Sequence, residues 1–187
     1  MRIISGKFKG KKIIQPSDKN TRPLKDLAKE SIFNLVKHSK LLNIDLKNSN
    51  ILDLFSGTGS FGIECLSRGV KKVYFVENYK PILNILKKNV NIFTEFENYK
   101  IIEKNIFDKN FFNYMHEEFD IIFLDPPYKE KKIKDILELI YKYKILRSNG
   151  VIIIHRNRKT IDEFSNFFKI IEKRNYGISK IIFLTLR

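Results

Sequence analysis

The sequence predicts an α/β protein built on an open, doubly wound, mostly parallel sheet of seven strands. Three observations predict it. Apolar strand-like runs alternate with amphipathic helix-like stretches from residue 50 to about 167, the pattern of a parallel sheet covered on both faces. A glycine loop, Gly57-x-Gly59-x-x-Gly62, follows the first of these runs and opens a helix. The last two apolar runs have no helix between them, only a turn at Asn175-Tyr176-Gly177, so they pair as an antiparallel hairpin.

Met1 to Ile14 reads as two short strands, Arg2-Ile3-Ile4 and Lys11-Lys12-Ile13-Ile14, around a turn containing Gly6 and Gly10. Its lysines could grip phosphates while Phe8 stacks on a base. They could equally guard a sheet edge against aggregation, and the residues alone leave both readings open. A polar loop ends at Thr21-Arg22-Pro23. A helix then spans Leu24 to Leu42, with Leu27, Ala28, Ile32, Phe33, Leu35 and Val36 as its apolar face.

Beyond a polar connection come the strand Ile51 to Phe55 and a helix to Ser67, which Arg68-Gly69 terminates. Lys72 to Val76 is a strand, Pro81 to Phe93 a helix with proline in its first turn, and Tyr99 to Glu103 a third strand. A short helix is expected at Asp108 to His116, then the strand Phe119 to Leu124. Ile133 to Tyr143 is a helix with Ile136, Leu137 and Ile140 on one face. The strand Val151 to Ile154 follows Gly150, and Ile161 to Phe167 is expected to be helical. Phe168 to Glu172 and Lys180 to Leu186 form the closing hairpin. The chain thus divides into a basic hairpin and helix, residues 1–43, and an α/β domain, residues 44–187.

Composition narrows the partners. Thirty-six Lys and Arg against 21 Asp and Glu leave a net charge of +15, which favours polyanions, nucleic acid above all. Cys65 is the sole cysteine, so no intrachain disulfide forms, and its apolar helical setting marks it as a small core residue. His38, His116 and His155 lack ligand-like spacing, so no metal site is expected. No apolar run reaches the roughly 18 residues of a membrane span, and the N-terminus has no apolar signal region. A monomeric, cytoplasmic protein is expected.

Two motifs carry chemistry. Glu77 ends the second strand, twenty residues beyond Gly57, where a carboxylate can accept both hydroxyls of a ribose. The loop and Glu77 together point to an adenosine-containing cofactor. Asp53, just before the loop, suits a cofactor that carries an ammonium group, as S-adenosylmethionine does. The second motif is Asp125-Pro126-Pro127-Tyr128, after the fourth strand. A residue before proline is pushed out of the α region, so Asp125 is held extended. The motif offers a carboxylate, a carbonyl outside any ladder and an aromatic face within four residues. That set suits a planar base whose amino group attacks. Taken alone, the motif also fits a surface turn.

Leu52-Asp-Leu-Phe-Ser-Gly-Thr-Gly-Ser-Phe-Gly62, Glu77 and Asp125-Pro-Pro-Tyr128 resemble a class I S-adenosylmethionine-dependent methyltransferase acting on an exocyclic amine. Arg2-Ile-Ile-Ser-Gly6, Lys9-Gly10, Thr21-Arg22-Pro23, Lys29-Glu30, Phe33-Asn34 and Tyr176-Gly177 narrow the resemblance to the bacterial RsmD-type family. It covers nearly the whole chain. It implies a Rossmann-like fold and methylation of a guanine N2 amine in small-subunit (16S) ribosomal RNA, with the RNA or the small subunit as partner. The cofactor would be S-adenosylmethionine, held by Asp53, Phe55, Ser56, Gly57, Thr58 and Gly59, and by Gly62, Glu77, Asn78, Asn105 and Ile106. Asn105 would receive the adenine amino group. Asp125, Pro126 and Tyr128 would be catalytic. Lys7, Phe8, Lys9, Lys11, Lys12 and Arg22 would contact RNA.

The aspartate-proline-proline-tyrosine motif is shared with adenine-N6 and glutamine methyltransferases, so DNA or RNA adenine methylation is the alternative chemistry. A non-catalytic nucleic-acid-binding module is the alternative class. Leu27 stands where the family usually has arginine. His155 stands where it usually has glutamate after the fifth strand, and is expected to leave the catalytic loop untouched.

Overall fold

In the computed structural model, which describes residues 1–16, 24, 26–92 and 98–187, side-chain alternation along the strands divides the interior into two cores. The strands are β1 (Asn50–Leu54), β2 (Lys72–Val76), β3 (Tyr99–Ile102), β4 (Phe119–Leu124), β5 (Leu146–Asn157), β6 (Phe168–Tyr176) and β7 (Ser179–Leu186). They form one sheet in the order β3-β2-β1-β4-β5-β7-β6. The first five lie parallel, and β7 runs antiparallel to both β5 and β6. The helices are α1 (Asp26–His38), α2 (Ser60–Ser67), α3 (Lys80–Asn91) and α4 (Ile133–Lys142).

Successive residues of a strand face opposite sides. Ile51, Phe75, Phe123 and Ile153 therefore meet α1, α2 and α3, whereas Leu52, Val76, Leu124 and Ile154 meet α4. On the first side, Phe61 of α2 stacks between Phe33 and Phe123, with ring centroids 5.5 and 4.0 Å away. Strand order reverses between β1 and β4, which opens a crevice at the C-terminal ends of these neighbours. The seven-stranded, doubly wound sheet and its C-terminal hairpin are as the sequence predicts.

The N-terminal segment departs from expectation. It forms one antiparallel bridge, Arg2 to Lys12, rather than two strands. Four of its backbone donors go to α2, while the amides of Ile3, Gly10 and Ile13 stay within the segment, on the carbonyls of Lys11, Ile3 and Met1. The amides of Ile4 and Ser5 donate to Glu64 at 2.7 and 3.0 Å, and those of Lys7 and Phe8 to Ser67 at 2.8 and 3.1 Å. Approach is so close at Gly6 (φ +84°) that a Cβ there would lie 1.8 Å from the Ser67 carbonyl oxygen. Ile3, Phe8 and Ile13 belong to the same core as α1 and α2, so the described residues among the first 43 share the core of the rest.

α1 is shorter than expected at both ends, and Leu27, assigned to its apolar face, is 67% exposed. Lys29 is buried in its place, 3.6 Å from the buried Glu64 carboxylate. Burial pulls the Lys29 pKa down, and Glu64 opposes that shift. The helix expected at Asp108 to His116 contracts to a 3-10 turn, Phe112–Tyr114. That expected at Ile161 to Phe167 is absent. β5 runs on to Asn157, Ile161 lies almost fully exposed, and Asp162 is held by Arg156 and Lys180, so the stretch has no apolar stripe to bury. Cys65 is buried, as expected.

Candidate active site

The β1 loop turns sharply because its backbone adopts left-handed conformations. Phe55 has φ +60°, a strained value for a side chain of this size that costs about 1–3 kcal/mol. Gly59 has φ +83°, and a Cβ there would lie 2.5 Å from Leu86. Ser56 ties the turn down, donating to the Asp53 carbonyl at 2.6 Å and accepting the Val76 amide at 2.9 Å. The buried Asp53 carboxylate accepts the Gly62 amide at 3.0 Å. Glu77 accepts the Gly57 amide through Oε2 and the Asn78 and Tyr79 amides through Oε1, each at 2.9 Å. Its oxygens offer about four lone-pair sites in all, so capacity for a ribose hydroxyl remains.

These groups line a cavity of 820 Å³. On its walls the structure brings together Asp53, Phe55, Ser56, Gly57, Thr58, Glu77, Asn78, Asn105, Ile106, Asp125, Pro126 and Tyr128. Gly59 and Gly62 shape the turn without lining the cavity. Asn105 makes a tight turn, its Oδ1 accepting the Phe107 amide at 3.0 Å, and so presents the buried Ile106. The Phe107 ring lies 6.2 Å from that of Phe55.

Register explains why the two halves of the site meet. Asp53 pairs with Phe123, so Asp125 sits two residues further along the neighbouring strand, on the same face. Burial pushes the Asp53 carboxyl well above its usual range, and the charges of Asp125 and Glu77 push it further, against the Gly62 hydrogen bond. Three carboxylates around one cavity favour a cationic occupant.

The Asp-Pro-Pro-Tyr loop is braced from β5. Leu124 pairs with Ile154, which puts His155 beside Asp125. His155 Nδ1 and Asp125 Oδ1 lie 2.8 Å apart in a hydrogen bond. This corrects the expectation that His155 leaves the catalytic loop untouched. On the other face, buried Arg156 donates to the carbonyls of Pro127 and Glu130 at 3.2 and 2.7 Å, and to Asp162 at 2.9 Å. Asp162 also meets Lys180 at 3.1 Å, and Lys180 donates to the Thr160 carbonyl.

Other predicted residues lie elsewhere. Lys7, Lys9, Lys11 and Lys12 are exposed on the N-terminal turn, which packs beside the C-terminal end of α2. That end is about 12 Å along the helix from the glycine loop, at 1.5 Å per residue. Phe8 contradicts its assignment: it is 5% exposed, and Lys7 and Lys11 stand over its ring, so no face is open to a base. Burying this aromatic anchors the turn. Arg22 falls outside the described residues. Sequence reasoning missed Gln15, Pro16, Leu24, Tyr79, Lys104, Phe107, Lys129 and Glu130 on the walls, and the two braces on β5. The signal for His155 was available: it follows the expected strand Val151 to Ile154 by the same step as Asp125 follows Phe119 to Leu124. Among the described residues no three His, Cys, Asp or Glu side chains converge as metal ligands, and no helix is long and apolar enough to cross a membrane.

Comparison with known proteins agrees with this geometry. The model of the family described as conserved hypothetical protein 95 matches residues 1–185. Ribosomal RNA small subunit methyltransferase D of Buchnera aphidicola is 31% identical over 189 residues, covering 100% of this chain and 92% of the relative. Its Haemophilus influenzae namesake is 33% identical over 161 residues, covering 84% and 79%. Among solved structures, H. influenzae HI0767 superposes with a TM-score of 0.75 at 26% identity, covering 100% of this chain and 98% of that one. A Thermus thermophilus protein gives a TM-score of 0.80 at 20% identity, covering 100% and 99%, a likeness of fold. With the family model matched over residues 1–185 and relatives above 30% identity over most of its length, the chain belongs to the conserved hypothetical protein 95 family, the RsmD-type methyltransferases.

Proposed function

We propose that this protein transfers the methyl group of S-adenosylmethionine to the exocyclic N2 amine of a guanine in small-subunit (16S) ribosomal RNA. One observation carries the reading: Asp125 faces the same cavity as Asp53 and Glu77, from the strand beside that of Asp53. The Buchnera and Haemophilus relatives, both named ribosomal RNA small subunit methyltransferase D, support the ribosomal substrate.

The residues present fit the cofactor. Glu77 suits the ribose hydroxyls, Phe55, Ile106 and Phe107 offer apolar walls to the adenine, and Asp53 with its neighbouring carboxylates suits positive charge. The bound cofactor supplies an electrophilic methyl group on a cationic sulfur. The chain's own task is to prepare the amine, whose lone pair is delocalised into the ring. Asp125 and the Pro126 carbonyl accept its hydrogen bonds and favour the tetrahedral, attacking form. Tyr128, half-buried on the cavity wall, holds the base by its ring face. Orientation of this kind is worth at best about 7–11 kcal/mol. The base must be unpaired or flipped to enter. Lys7, Lys9, Lys11 and Lys12 grip the RNA backbone away from the reacting base, and Arg22 is assigned to the RNA by the family resemblance alone.

The test is transfer of tritium from labelled cofactor into small ribosomal subunits that lack the modification, followed by nucleoside analysis. N2-methylguanosine is expected. Label in N6-methyladenosine would establish the adenine chemistry instead. Tight cofactor and RNA binding without transfer would make the protein a binding module.

A further inference from the structure

Asp125 has two oxygens, and the fold has committed one of them. Oδ1 is hydrogen-bonded to His155 Nδ1 at 2.8 Å. Among the described residues Oδ2 has no hydrogen-bond partner, and the side chain remains about a fifth exposed on the cavity wall. The histidine is 4% exposed, so its ring is fixed by packing. It stands one residue past the last paired rung of β4 and β5, Leu124 with Ile154. The loop backbone is secured separately: Arg156 holds the Pro127 and Glu130 carbonyls from the opposite face. Arg156 therefore fixes the main chain, whereas His155 hydrogen-bonds the carboxylate.

We propose that His155 is a positioning residue. Its Nδ1–H donates to Asp125 Oδ1, locks the carboxylate rotamer, and leaves Oδ2 aimed at the substrate amine. The proposal rests on the methyl-transfer reading above and assigns a role to a side chain outside the cofactor and base contacts. The carboxylate needs this support because two groups must meet within a fraction of an ångström, and a 1 Å misplacement can cost about a hundredfold in rate. An aspartate at the mouth of an open cavity would otherwise sample several rotamers. Asparagine at position 155 can place an amide N–H close to where Nδ1 lies, whereas leucine fills the volume without a donor.

His155→Leu should lower single-turnover methyl transfer about tenfold to a hundredfold, with the cofactor Kd and the KM for small subunits within about twofold of wild type. His155→Asn should recover most of the loss, which a packing role alone would not permit. Equal turnover in wild type and His155→Leu would overturn the proposal. A second measurement decides it without any activity. Long-range 15N correlation spectra of the labelled protein report which ring nitrogen of His155 carries the proton. Nδ1 protonation in wild type, with a change of tautomer in Asp125→Ala, supports the assignment. A ring protonated on Nε2 alone and indifferent to Asp125→Ala overturns it. Failure of the wild type to methylate ribosomal RNA would overturn the proposed function instead, and the tautomer would still settle the role of His155.

Discussion

The two loops that face each other across the cavity are held in different ways. The glycine loop after β1 is tied within its own turn and by the end of β2 twenty residues on: Ser56 to Asp53 and Val76, Gly57 to Glu77, and Gly62 to Asp53. The Asp-Pro-Pro-Tyr loop after β4 takes its support from β5, through His155 and Arg156 some thirty residues on. Sites built on local contacts can be recognised as motifs, because the supporting residues recur at fixed spacing. Sites built on distant contacts show only their reactive residues in the sequence. On the proposed function the difference also separates roles: the first loop shapes a binding pocket, and the second holds a carboxylate steady during chemistry.

The sharpest way to break the comparison is to remove the distant brace. Arg156 is 1% exposed at its side chain and Asp162 4%, and truncating one partner of such a buried pair costs about 3–5 kcal/mol. Arg156→Met should lose stability on that scale in equilibrium urea unfolding. A loss below about 1 kcal/mol, the scale of an ordinary exposed pair, would show that the β4 loop stands without it.

A smaller effect sharpens the comparison through Asp53. Its folded pKa lies above that of the unfolded chain, so the folded state keeps a proton that the unfolded state has lost. Stability from this group is therefore full below the ordinary carboxylate range of about 4 and is lost as pH rises through the raised folded value. Asp53→Asn keeps an acceptor for the Gly62 amide and removes the titration. In the cofactor-free protein it should melt at a higher temperature than wild type in neutral buffer and at a similar one in acid. The same variant should bind S-adenosylmethionine more weakly in calorimetry. Parallel pH profiles for the two proteins would contradict the account of Asp53.

The smallest effect concerns the basic turn. Truncation of residues 1–14 is no clean test, since it would strip Ile3, Phe8 and Ile13 from the core and leave Glu64 without its amide donors. Replacing Lys7, Lys9, Lys11 and Lys12 with glutamine leaves those contacts in place. RNA affinity should fall, and the slope of log K against log salt should flatten by about 0.9 per lost duplex phosphate contact. Cofactor affinity should stay constant. An unchanged slope would make these lysines a solvated surface.

Much of this was legible in the sequence. β2 and β4 lie where their apolar runs place them, and the glycine loop with Glu77 marks one wall of the cavity. Asp125 was legible because proline after it constrains the backbone locally. What escaped was set by contacts remote in the chain. The Met1 to Ile14 segment has hairpin composition, yet α2 takes four of its amides. Phe8 looked available among lysines, yet it fills the core. Lys29 lies outside the apolar face expected for its helix, and the facing Glu64 and the Arg2 carbonyl make its burial tolerable. His155 reads as an isolated substitution until the β4–β5 register sets it beside Asp125.

The central claim is that the β1 loop binds and the β4 loop acts. One paired measurement tests it: cofactor affinity by calorimetry and single-turnover methyl transfer to small subunits at saturating cofactor, for Glu77→Ala and Asp125→Ala side by side. Glu77→Ala should weaken cofactor binding by about 1–3 kcal/mol, the cost of losing a charged hydrogen-bond partner, and recover much of its rate at saturation. Asp125→Ala should bind cofactor as wild type does and lose about a hundredfold or more in rate, because its contact strengthens toward the transition state. Asp125→Asn, still an acceptor, should fall between. Near-normal turnover in Asp125→Ala, or a rate defect in Glu77→Ala that saturation leaves untouched, would contradict the division.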